Sequence, residues 1–175
     1  MKKIYDFPAY PVRLRVAALI EREGSVLLVF DPVYRGGCWI LPGGGAELDE
    51  TVNQAVQREV LEETGLTVEA KEICTIREIW EPENDFPESQ KIRKSFEIIF
   101  SCKYISGGID IQHNSSVKRD GIARVKDCRW ISANQIPDTI DGFPLYPFEF
   151  FQLYRSNKII RIPWQNIFLP PLDLR

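Results

Sequence analysis

Residues 44–66 read GGAELDETVNQAVQREVLEETGL, and they follow Cys38-Trp39-Ile40-Leu41-Pro42-Gly43. A short apolar strand should therefore run into a glycine loop and then into a helix. Successive glycines let the backbone turn at positive φ and let a charged ligand or metal approach main-chain groups. Thr51 and Gln54 have capping-box spacing, which predicts a helix starting at Thr51. Gly65 is the natural stop, giving a helix of about 13 residues.

The position of the carboxylates on that helix constrains it most. Glu59, Glu62 and Glu63 stand at i, i+3 and i+4, on one face. At about 100° per residue, Val52, Ala55 and Val56 form the apolar side, with Val60 at its edge. Glu59 and Glu63 project into that sector and Glu62 lies just beside it, so the helix is not an ordinary solvated one. Like charges this close repel, and partial burial makes their ionisation costlier. A bound hard cation removes the conflict, and oxygen-ligated Mg²⁺ or Mn²⁺ suits clustered carboxylates.

The spacing also carries a family resemblance. Gly44, five residues, Glu50, seven residues, then Arg58-Glu59-Val60-Leu61-Glu62-Glu63-Thr64-Gly65-Leu66 resembles the complete signature box of the Nudix hydrolases. The resemblance implies an α/β fold, an α/β/α sandwich around a central mixed β-sheet. It implies hydrolysis of a diphosphate joined to another group, usually a nucleoside, with Mg²⁺ or Mn²⁺ as cofactor. Carried over by position, Glu59, Glu62 and Glu63 are metal ligands, Glu50 joins them directly or through water, and the Gly43 carbonyl is a further ligand. The same carry-over has Arg58 orienting a catalytic glutamate. Read from the residues alone, Arg58 is equally a surface ion pair with Glu62, and Glu50 a partner of the helix dipole. The general base is open among Glu62, Asp120 and Asp127, with Glu62 favoured. Asp49 replaces the glycine common before the first box glutamate, a change of turn geometry more than of chemistry.

The remaining sequence bounds the function. With 175 residues, 44% of them hydrophobic, the chain is long enough for one domain, residues 1–175, with its own core. A net charge of −3 argues against a general nucleic-acid surface and is compatible with a small nucleotide held through metal. The N-terminus lacks the apolar core of a signal peptide and no run reaches membrane-spanning length, so no membrane partner is expected and the expected location is cytoplasmic. Cys38, Cys74, Cys102 and Cys128 lie in or beside predicted strands without a CxxC pair, as reduced core thiols do. The one histidine, His113, sits in a polar loop, which leaves triad chemistry unsupported.

Strands are predicted over 13–21 and 25–30, joined by a Glu-Gly hairpin turn, and over 38–41, 67–80, 95–104 and 128–131. A short helix should begin at Ala133, and a second true helix should cover Leu145 to Arg155. The segment Arg77 to Lys94 is expected as a loop at the mouth of the site. There Trp80 and Phe86 are candidates to stack on a base, and Arg93, with Lys91 and Lys94, to meet phosphates. Arg35 is a further candidate phosphate contact. Pro82, sixteen residues after Leu66, is similar in placement to a proline of the ADP-ribose-hydrolysing branch. Residues from about 141 to 175 hold eight of the 20 aromatic side chains and are expected as a helix and extended arm, packed on the sheet or forming a homodimer surface. The expected substrate is ADP-ribose or a sugar nucleotide. The alternatives are nucleoside triphosphates, dinucleoside polyphosphates, or a nucleotide-sensing module without turnover.

Overall fold

The computed structural model describes residues 12–32, 37–82, 92–111, 125–132, 143–144 and 166–168. Its centre is strand β1 (Arg13–Arg22), in which Val16 to Ile20 are all buried. Five consecutive buried apolar side chains require cover on both faces of the sheet. β1 turns into β2 (Ser25–Asp31) through Glu23 and Gly24, with φ of 49° and 77°. Two successive positive φ values match the twist of a tight hairpin. The two strands pair only at the tip, Glu21 with Val26 and Arg22 with Ser25, and then diverge into separate wings.

One wing carries β3 (Cys38–Ile40), antiparallel to β2, and β7 (Asp127–Ser132), antiparallel to β2 on its other side. The other wing carries β5 (Thr67–Pro82) and β6 (Ile92–Ser106), a long antiparallel pair, with β6 parallel to β1. Between β3 and the single described helix α1 (Val52–Thr64) lies β4 (Gly43–Gly45). Two short strands complete the mixed sheet: β8 (Phe143–Pro144) parallel to β3, and β9 (Asn166–Phe168) parallel to β5. Apolar side chains of β1, β2, β3 and β6 pack with Ala55, Val56 and Val60 of α1 in one core.

Three local expectations change. The glycine stretch is not only a loop: Gly43, Gly44 and Gly45 form a strand opposite Ala17, Val16 and Arg15. A Cβ on Gly43 would lie 2.1 Å from the Val16 carbonyl oxygen, so only a bare backbone comes this near. The segment 77–94 is not a loop throughout, because β5 and β6 stay paired as far as Pro82 and Ile92. Pro82 ends its strand, where its missing N–H costs the ladder little. Asn166 to Phe168, within the expected arm, pair with Glu78, Ile79 and Trp80 of the same chain. Both predicted helices after residue 132, and Phe86, Lys91, His113 and Asp120, lie outside the described residues.

Candidate active site

Helix α1 begins where the sequence places it. Thr51 is the N-cap, and its hydroxyl accepts the Gln54 N–H at 3.3 Å while its own N–H donates to Gln54 Oε1 at 2.9 Å. A complete capping box of this kind contributes about 1 kcal/mol to the helix start. Gly65 ends the helix at φ 74°, its N–H donating to the Leu61 carbonyl. With both ends fixed, the rotation of every side chain on the helix is fixed too.

That rotation turns the acids inward. Glu59 and Glu63 are buried with Ala55, Val56 and Val60, while Leu61 stays exposed. Glu62 is half-buried at the rim. Glu63 accepts the Gly43 N–H at 2.8 Å, which ties the helix to β4 through a buried bond. The Glu59 carboxylate lies where a side chain on Gly44 would be, 2.4 Å from a Cβ built there. Gly44 is thus required for the acid beside it rather than for its own φ.

Arg58 is the hub. Its Nη2 donates to Glu50 Oε1 at 2.7 Å and to the Gly45 carbonyl at 3.0 Å, and its Nε donates to Glu50 Oε2 at 3.0 Å. Its Nη1 donates to Glu59 Oε1 at 3.0 Å and reaches Glu62 Oε2 at 3.4 Å. The i,i+4 contact with Glu62 is the longest of the five. The pair with Glu50 is bidentate, the strongest geometry open to a guanidinium. The Glu50 hydrogen bond, ahead of the pull of Glu59, holds the Arg58 pKa well above its ordinary value. Glu50 also accepts the Glu47 N–H at 2.9 Å, so it closes the turn that leads into the helix.

The residues suit a divalent cation in donor type. Glu50, Glu59, Glu62 and Glu63 offer hard oxygens of the kind such an ion takes. In this geometry Arg58 stands among the acids as their counter-cation, and among the described residues no three potential ligands converge on a single point.

Trp80 is on β5 and Arg93 on β6, strands rather than a loop, and Arg35 lies outside the described residues. Lys94 pairs with Glu78 at 2.5 Å. Asp127 is engaged on β7: it pairs with Arg129 Nη2 at 2.5 Å and accepts the Cys128 N–H at 2.8 Å. All four cysteines are free thiols, and burial pushes those of Cys102 and Cys128 up to about 12 and that of Cys74 to about 11. The structure also pairs Arg15 with Glu97, two charges that sequence reading did not single out. Their signal is a charge inside an apolar strand, as in Leu14-Arg15-Val16 and Phe96-Glu97-Ile98.

This fold and this cluster define a recognisable class. The NUDIX domain profile matches residues 11–151, and the chain belongs to that family. Among curated relatives, m7GpppN-mRNA hydrolase NUDT17 of Danio rerio is 33% identical over 125 residues, 71% of this chain and 40% of that protein. An ADP-ribose pyrophosphatase of Methanocaldococcus jannaschii is 39% identical over 77 residues, 42% of each chain. The chain spans 40% to 55% of the length of its first curated relatives. Among solved structures, the MutT protein of Methanosarcina mazei Go1 aligns with a TM-score of 0.60 at 27% identity, covering 85% of this chain and 96% of that one. A NUDIX hydrolase of Nitrosomonas europaea shares the fold with a TM-score of 0.64 at 23% identity, covering 84% and 90%. No described helix is long and apolar enough to cross a membrane.

Proposed function

We propose that this chain is a divalent-metal-dependent hydrolase that cleaves the diphosphate linkage of a nucleoside diphosphate joined to a further group. The observation that carries the reading is the burial of Glu59 and Glu63 on the apolar side of α1, against the bare backbone of Gly43–Gly45. Carboxylates without a cationic role are costly there. Glu59, Glu62 and Glu63, with Glu50 and the Gly43 carbonyl, would hold Mg²⁺ or Mn²⁺. Bound metal supplies neutralisation of the non-bridging phosphate oxygens and activation of water.

The protein's own parts then divide the remaining work. Arg58 fixes Glu50 and Glu59 through its hydrogen bonds. Gly44 leaves space for the Glu59 carboxylate. Glu62, at the half-exposed rim, is the best-placed general base, since Asp127 is already held by Arg129 and Cys128. ADP-ribose or a similar sugar nucleotide is the favoured substrate, supported by the Pro82 spacing and by the relative named as an ADP-ribose pyrophosphatase.

A release assay tests this. Purified protein with Mg²⁺ or Mn²⁺ is offered ADP-ribose, sugar nucleotides, nucleoside triphosphates, dinucleoside polyphosphates and capped RNA, with phosphatase coupling. Metal-dependent turnover of one class, lost with EDTA, is expected. Tight nucleotide binding without turnover on any substrate would replace the enzyme with a sensing module.

A further inference from the structure

A guanidinium has five N–H groups, and on Arg58 each has an acceptor. Three reach the chain ahead of the helix. Nε and Nη2 hold the two oxygens of Glu50 at 3.0 and 2.7 Å, and Nη2 also takes the Gly45 carbonyl at 3.0 Å. The other two belong to Nη1 and go to acids of the helix itself, Glu59 Oε1 at 3.0 Å and Glu62 Oε2 at 3.4 Å. The side chain therefore has two arms with different duties.

The arms also differ in how firmly they are held. The first is a bidentate carboxylate pair, the geometry in which planar, forked donors are strongest. Its acceptor is braced further by the Glu47 N–H at 2.9 Å. The second is one nitrogen shared by two carboxylates, one of them at the longest distance of the five. Both of those carboxylates belong to the cradle that would hold Mg²⁺ or Mn²⁺. A doubly charged ion that draws Glu59 and Glu62 together competes for the same negative charge and repels the guanidinium beside it.

We propose that Arg58 is a counter-ion that exchanges in part. A divalent cation takes Glu59 and Glu62 over from Nη1, while Nε and Nη2 keep Glu50 and Gly45 in place. Until the ion binds, Nη1 supplies the positive charge that buried carboxylates need. Afterwards the anchored arm still holds the loop in register with the helix. A cation that displaces a partner binds more weakly than its ligands alone allow, by the fraction of molecules in which that partner has let go. Arg58 thus sets the metal affinity downward and makes turnover depend on the concentration of free divalent ion. This rests on the hydrolase reading above, but its binding component is measured without turnover.

Mn²⁺ is titrated by calorimetry into EDTA-treated, dialysed parent protein and into Arg58→Gln and Arg22→Gln variants. Arg22 is at the far end of β1 from the glycine strand and pairs with Glu23, so its variant controls for loss of charge alone. Arg58→Gln should bind Mn²⁺ at least about fivefold more tightly than the parent, with Arg22→Gln within about twofold of it. Without Mn²⁺ the melting temperature of Arg58→Gln should lie below that of the parent, and the gap should close as Mn²⁺ saturates.

Equal or weaker Mn²⁺ binding by Arg58→Gln, or the same gain in Arg22→Gln, would overturn the exchange and leave the hydrolase standing. A parent protein that binds no Mn²⁺ would overturn both. Tighter binding by Arg58→Gln in a protein whose parent turns over no substrate would sustain the exchange while removing the hydrolase. Should Arg58→Gln fail to fold, a crystal structure of the parent with Mn²⁺ decides. Nη1 should then lie beyond hydrogen-bond distance of Glu59 and Glu62, with the Glu50 pair intact. Nη1 still bonded to both acids, or a guanidinium that has left Glu50 as well, would overturn the exchange.

Discussion

Two partly buried charge clusters flank the glycine strand, and their ion pairs stand in opposite proportions. On the helix side one arginine, Arg58, serves three carboxylates, Glu50, Glu59 and Glu62. On the far side one carboxylate, Glu97, serves two arginines, Arg15 and Arg77. Burial explains why each has an internal partner, since an unpaired ion inside a fold is prohibitively costly. It does not explain the proportions. An excess of acid suits a hard cation, whereas the far cluster ties β1, β5 and β6 together across the sheet. Among the described residues, the glycine strand β4 lies between them.

The sharpest break in this comparison comes from removing one charge on each side. Glu62→Gln or Glu63→Gln should lower kcat by roughly a thousandfold while the melting temperature stays within a few degrees. An unchanged rate in either variant would remove the metal-cradle assignment. Glu97→Gln should do the reverse in kind. It strands Arg77 in the interior and should cost about 3 kcal/mol of stability, read by denaturant unfolding. Full stability in that variant would mean the far cluster is not held together as described.

A finer break uses the partition itself. Ala at Gly44 meets first the Glu59 carboxylate, the far end of a side chain, whereas Ala at Gly43 meets the Val16 carbonyl oxygen and the Ala17 backbone. Gly44→Ala should therefore fold normally and lose activity about tenfold or more. Gly43→Ala should lose stability first, seen as a lower melting temperature. Equal behaviour of the two would contradict the division of faces.

The smallest effect concerns the buried thiols, which carry no charge at neutral pH. Desolvation raises Cys102 and Cys128 from an ordinary 9.0 to about 12 in the folded chain. The folded state thus holds these protons more tightly than the unfolded state does. Their contribution is complete below pH 9 and is lost as pH rises from 9 toward 12. The melting temperature of the parent protein should fall more steeply above pH 9 than that of a Cys102→Ala, Cys128→Ala variant. Parallel curves would place these thiols in contact with water.

Much of the helix was legible because its determinants are local. A capping box, an αL glycine and i,i+4 spacing all act within a turn or two, so the ends of α1 and the inward rotation of Glu59 and Glu63 follow from residues 51–65 alone. The six predicted strands, β1, β2, β3, β5, β6 and β7, were likewise near their observed places, since alternation and turn residues are also local signals. The misses share one cause. The Arg58–Glu50 tie depends on how the loop before α1 folds back, and the Arg15–Glu97–Arg77 row depends on the register of β1 with β6 and of β6 with β5. Neither register is written in any single strand. The expected loop over 77–94 failed similarly: prolines and acids favoured a turn, but a long paired partner kept Arg77 to Pro82 extended.

The five bonds of Arg58 also act as a ruler. Because the same side chain holds Gly45 and Glu50 from a fixed place on the helix, the length of chain between strand and helix cannot vary. One residue inserted after Thr51 and before Arg58 would turn every later side chain about 100° against the cap, carrying the acids out of their sector. One residue inserted at the Glu23–Gly24 tip would disturb only a surface turn. Tolerance to a change of length is therefore set by distance from one guanidinium, and a scan of single-residue insertions would read the molecule's layout as a gradient.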